Sequence, residues 1–107
     1  VIRYPLDYTT RKLATTANVA TATWASCINI LKMQGGMSWK GKFYFARSAS
    51  PAADLWSWIP GNAAKLAKGW FPAGAEDLSY HEARGEWYTL TEHAGDRRIV
   101  AYKGMTK

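Results

Sequence analysis

Four side chains in this 107-residue sequence have the types that acid–base chemistry uses: Glu76, Glu92, His93 and Arg47. Two carboxyl groups flanking a glycosidic bond are what a sugar hydrolase needs, one giving a proton while the other acts as base or nucleophile. A second scheme makes His93 the base, facing Arg47. Gln34 and Asp77 add hydrogen-bonding groups, and Trp56 and Trp58, two apart along one segment, offer flat rings on which sugars stack. Each type also has an ordinary structural use. A carboxylate at the start of a strand accepts hydrogen bonds from N–H groups of the adjoining turn, and large rings fill the space between sheets. For Asp77, Glu76, Glu92, His93 and the two tryptophans that structural use is the favoured reading.

Whether residues so far apart in sequence share one site depends on the elements that carry them. Residues 74–93, GAEDLSYHEARGEWYTLTEH, contain two short alternating segments, 78–80 and 87–90, around a polar turn that ends in Gly85. Period-two alternation broken by such a turn predicts an antiparallel hairpin. The hairpin has an earlier copy. Residues 41–58 align without a gap on 85–102, an offset of 44 that brings Tyr44 onto Tyr88, Leu55 onto Ile99 and Trp58 onto Tyr102. Upstream, Ser38-Trp39 answers Ser79-Tyr80 across a shorter turn. Several short strands repeating every 40–45 residues or so is how a β-propeller blade reads in sequence.

The expected architecture is therefore all-β: about two blades of a β-propeller, each a four-stranded antiparallel sheet, beginning and ending in mid-blade. Residues 1–19 are expected to be outer strands of a preceding blade, 33–72 a complete blade and 74–103 a partial one. Residues 20–32 carry apolar positions at both helical and strand spacing and are read as an irregular connection. Residues 62–70 stay open between strand, from their place in the repeat, and helix, from their alanines. In such a ring the entries to the innermost strands and the ends of the second strands lie on one face. That arrangement would gather Gln34, Glu76 and Asp77 with Arg47, Ser48, Glu92 and His93, and would leave His81 on the opposite side.

Composition narrows the functional classes. Fourteen Lys and Arg against eight Asp and Glu give a net charge of +6, but the basic residues are scattered, with Arg11-Lys12, Lys40/Lys42 and Arg97-Arg98 the only close groups. No basic arm or helix forms, so nucleic acid is not the expected partner. Six Trp, six Tyr and three Phe suit stacked sheets. Cys27 is the sole cysteine, so no disulfide forms within the chain, and no zinc spacing accompanies His81 and His93. No phosphate-cradling glycine loop or serine nucleophile elbow occurs, and no run of eighteen apolar residues reads as a membrane span. Neither a metal nor a cofactor is expected.

The motifs also resemble a family. Met33-Gln34-Gly35, the strand at 41–45, the GAEDLSY start at 74–80 and the LTEHAGDR ending at 90–97 are similar to the last blades of secreted β-propeller proteins of actinobacteria and fungi. Residues 3–7, RYPLD, resemble that family's strand upstream. Ala75 and Ala94 stand where the family has proline, which predicts looser turns there. The resemblance covers most of the chain, residues 20–29 least. It implies a secreted, extracellular protein and a C-terminal piece whose partners are the remainder of its propeller or copies of itself. No activity comes with it. The reading is a non-enzymatic ligand-binding module, with a glycan as ligand. The alternatives are a carbohydrate-active enzyme, lyase or hydrolase, at the propeller mouth, and a structural unit that self-assembles, three two-blade chains making six blades.

Overall fold

The computed structural model describes residues 1–17 and 19–103. Every regular element among them is a β-strand apart from one 3-10 turn, Glu82–Arg84. The chain is all-β, built from small antiparallel sheets, none closed on itself.

The first sheet is a four-stranded meander: β7 (Met33–Trp39), β8 (Lys42–Arg47), β9 (Ala52–Trp58) and β10 (Lys65–Pro72), hydrogen-bonded in chain order. Lys40 and Gly41 join β7 to β8 with φ of 48° and 75°, the two-residue turn whose twist matches the strands it joins. β10 settles the ambiguity at residues 62–70. Leu66 pairs with Trp56 and Phe71 with Ala53, and Phe71 is buried. Burial against β9 outweighs helix propensities that differ by only tenths of a kcal/mol per residue, roughly. A bulge between Ala67 and Phe71 contains Gly69, at φ 63°, whose N–H reaches the Asp54 carboxylate.

The second sheet is β11 (Ser79–His81), β12 (Glu86–Leu90) and β13 (Ile99–Lys103). The repeat read from the sequence is present in its pairing. Tyr44 lies opposite Ser57 in the first sheet, and Tyr88, 44 residues on, lies opposite Ala101 in the second. The inner strands depart from that offset by two residues, and by one from the match of Ser38-Trp39 with Ser79-Tyr80: Ser38 faces Phe43 while Tyr80 faces Trp87, so Ser38 corresponds to Tyr80, an offset of 42. The cause is the turn. Four residues, the 3-10 turn and left-handed Gly85, replace the two of Lys40-Gly41.

The two sheets share one core. Tyr44, Ala46, Ala53, Leu55 and Phe71 meet Ala75, Leu78 and Trp87. Trp87 is fully enclosed, with Tyr44 edge-on at 4.6 Å and Tyr80 at 4.8 Å. At Gly35, β7 comes close against the backbone that leads into β11. A Cβ on Gly35 would lie 2.6 Å from the Cα of Asp77, so only glycine fits.

Trp24 of the N-terminal segment packs on the other face of the first sheet. Trp24 stacks on Phe43 at 6.1 Å and tilts against Trp58 at 6.4 Å. Residues 20–32 are irregular as expected, except for Ala20, which ends a short strand, and β6 (Trp24–Ala25), which pairs with β1 (Ile2–Arg3). The outer strands expected over residues 1–19 are short and broken: β2 (Leu6–Asp7) leaves β1 and pairs with β3 (Lys12–Leu13). The Asp7 carboxylate accepts the N–H groups of Thr9 and Thr10, fixing the turn between them. Beyond β3 the chain turns again, because Ala17 at φ 49° sends β4 (Thr15–Thr16) back against β5 (Val19–Ala20).

Candidate functional site

Just before β11 and just after β12 the backbone pairs once more, Ala75 opposite Thr91. Glu76 N–H donates to Leu90 O at 2.9 Å and Glu92 N–H to Gly74 O at 3.1 Å. Ala75 and Thr91 point into the core. Glu76 and Glu92 are therefore diagonal neighbours on the opposite face, within reach of each other. Burial, then the Glu92 charge and a hydrogen bond to it, hold the Glu76 carboxyl above the usual carboxylate range. Oε1 of Glu76 is sealed from solvent and has no hydrogen-bond partner among the described residues. The two carboxyl groups stand within hydrogen-bond reach, so a protonated Glu76 can donate to Glu92.

Beside this pair lies a cleft of about 270 Å³ whose lining includes Lys32, Ser48, Ser50, Gly74, Glu92 and His93. The repeat generates it. Ser48 N–H donates to Lys32 O at 3.0 Å, and Glu92 N–H to Gly74 O in the same way. Lys32 with Ser48 and Gly74 with Glu92 are thus matching corners of successive units. Gly74 takes φ 75°, and a Cβ there would meet His93 N at 3.3 Å, so a larger residue would both strain the turn and crowd the cleft. His93 is exposed, and its carbonyl accepts Asp96 N–H at 2.9 Å. Thr91 Oγ1 bridges the same turn, donating to the Asp96 carbonyl and accepting Arg98 N–H. With those bonds the turn at Ala94 is tied, not loose.

The remaining candidates lie elsewhere or are already engaged. Arg47 is tied to Asp54, directly opposite on β9, by a 2.5 Å ion pair, and Asp54 is 4% exposed. Its guanidinium therefore serves its own sheet, and Arg47 does not line the cleft. Gln34 is exposed at the β7 bulge, between the paired residues Met33 and Gly35. The Asp77 carboxylate accepts Leu78 N–H at 2.7 Å, the turn-holding role, and its carbonyl accepts the Thr89 hydroxyl. Trp58 is 5% exposed, packed on Phe43, with its indole N–H on Asn62 O. Trp56 is half-buried and its indole nitrogen is enclosed. The Trp58 ring is not an open stacking platform: it packs beneath Trp24 of the N-terminal segment. His81 lies at the other end of β12 from His93.

Lys32, Ser50 and Gly74 complete the cleft and were not singled out from the sequence. The repeat held the signal for two of them, since the inner-strand offset carries Lys32 onto Gly74. Among the described residues no three His, Cys, Asp or Glu side chains gather to hold a metal ion. None of their helices is long and apolar enough to cross a membrane. Cys27 is a free, exposed thiol. No family model, curated protein or solved structure matches the chain.

Proposed function

We propose that this chain forms adjoining blades of an extracellular β-propeller and that the cleft between its two larger sheets binds a glycan. The observation that carries the reading is the construction of the cleft from matching corners of two repeats, Lys32 with Ser48 and Gly74 with Glu92. Each further blade in a ring would add one more such corner to a common rim. The preserved pairing at the 44-residue offset and the glycine-tight approach of β7 to residues 76–77 support the same architecture.

The cleft supplies an ammonium, a carboxylate, two serine hydroxyls and an imidazole, and no large apolar side chain lines it. Mixed donors and acceptors of this kind suit the hydroxyl groups of a sugar. The Glu76–Glu92 pair favours binding over bond cleavage. Glycosidase carboxyl groups stand about 5–5.5 Å apart in retaining enzymes and about 6.5–9.5 Å in inverting ones, because the scissile bond lies between them. Glu76 and Glu92, diagonal neighbours within hydrogen-bond reach of each other, leave no such gap.

The test is a glycan array followed by calorimetry on the best ligand, with wild type and Glu92→Gln, and chromatography for cleavage products. Saturable binding without products, weakened in Glu92→Gln, supports the proposal. Cleavage that disappears in Glu76→Gln would establish the enzyme instead, and the absence of any glycan ligand would defeat the reading.

A further inference from the structure

The outward face of the second sheet has a counterpart inside the chain. Tyr88 and Ala101 are paired on it, as are Leu90 and Ile99. Forty-four residues earlier the same positions are Tyr44 with Ser57 and Ala46 with Leu55. There the face is covered: Tyr44, Ala46 and Leu55 are buried beneath Ala75, Leu78 and Trp87 of the next sheet. In the second sheet none of the described residues covers it, and Ile99 is 76% and Leu90 42% exposed. The sequence has dressed this face for another layer.

The chain carries a second exposed apolar surface on its opposite side. Trp24 of the N-terminal segment packs on Phe43 and Trp58, while Ile2, Leu6 and Leu13 of the same segment are exposed, with Leu6 and Leu13 paired across β2 and β3. The N-terminal segment and the second sheet thus lie against opposite faces of the first sheet, and each leaves large apolar side chains exposed. Stacking the N-terminal layer of one copy on the second sheet of another continues the layer order the chain already has. The two surfaces differ, so the contact is head-to-tail, the type that propagates to a ring when its rotation closes.

We propose that the Tyr88/Leu90/Ile99 face is a docking surface for the N-terminal layer, around Leu6 and Leu13, of a second copy of this chain. The inference rests on the observed sheet repeat and stands whether or not the cleft takes a glycan.

Complementary variants test it by native mass spectrometry and light scattering on the purified chain. Wild type is expected as a multiple of the 11.9 kDa chain mass. Ile99→Glu and Leu6→Glu, each at an exposed position, are expected to be folded monomers by circular dichroism, with association weakened by at least about tenfold. Mixing the two restores one intact interface and is expected to give a species of two chains that goes no further. Leu90→Glu and Leu13→Glu replace either variant if it fails to fold. A wild type that stays monomeric at high concentration, an Ile99→Glu protein that still assembles, or a mixture that stays monomeric would overturn the proposal.

Discussion

Gly35→Ala is the sharpest probe of how the two sheets are joined. The added Cβ would lie 2.6 Å from Asp77 Cα, 2.7 Å from Glu76 O and 2.8 Å from Asp77 C. Carbon atoms rest at about 3.5–4.0 Å, so the methyl group is about an ångström too close to backbone that has no rotamer to change. Gly35 is not among the residues with positive φ, so the substitution introduces no strain of its own and the cost is steric. Forcing a carbon into a packed contact costs about 1–3 kcal/mol, and this contact belongs at the upper end. Gly36→Ala is the control, because its Cβ meets the Phe45 ring at 2.9 Å, a side chain that can turn aside. Urea unfolding at equal slope should place Gly35→Ala clearly below Gly36→Ala in stability. Equal stabilities, within about 0.5 kcal/mol of wild type, would mean that β7 does not press on residues 76–77 and that the sheet-to-sheet geometry is wrong.

Trp87→Ala removes the central ring between Tyr44 and Tyr80 and should cost about 3–5 kcal/mol in the same unfolding assay. Asp54→Ala leaves the Arg47 guanidinium and the Gly69 N–H without their acceptor, for an expected loss of about 1.5–3 kcal/mol. The Glu76 carboxyl is raised by burial and by Glu92, so the folded state binds its proton more tightly than the unfolded chain does. Its contribution to stability is present below the ordinary glutamate pKa and is lost as pH rises through the raised value. Glu76→Gln should accordingly gain stability relative to wild type between mildly acidic and neutral pH, and a constant difference across that range would refute the raised Glu76 carboxyl. Glu86, lowered by the Tyr88 hydroxyl and by Lys103, has the opposite sign, and Glu86→Gln should lose its deficit as pH falls.

Much of this fold is legible in the sequence because strand repeats preserve side-chain type where pairing preserves position. The 44-residue offset keeps an aromatic at Tyr44 and Tyr88 and an aliphatic at Leu55 and Ile99, and the β8–β9 and β12–β13 registers follow it. The inner strands slip by one because an alignment of Ser38-Trp39 with Ser79-Tyr80 matches residue types across turns of different length. The broken N-terminal strands leave little trace, since the turns rest on Arg11 and Ala17 at positive φ, residue types that do not advertise it. At the site, position in the repeat brings Glu76 to Glu92. Arg47 is misplaced by the same reasoning, because its partner Asp54 emerges only when the residues facing each other across β8 and β9 are counted. Trp56 and Trp58 share a face as the spacing implies, but spacing cannot tell a face open to ligand from one roofed by Trp24.

Backbone amide shifts recorded by NMR during titration with soluble oligosaccharides test the central claim most directly. The account predicts saturable shifts confined to Lys32, residues 48–50, 74–76 and 92–94, the corners that make the cleft, and their loss in Glu92→Gln. Shifts clustered instead around Trp24 and Trp39, or none with any oligosaccharide, would contradict it.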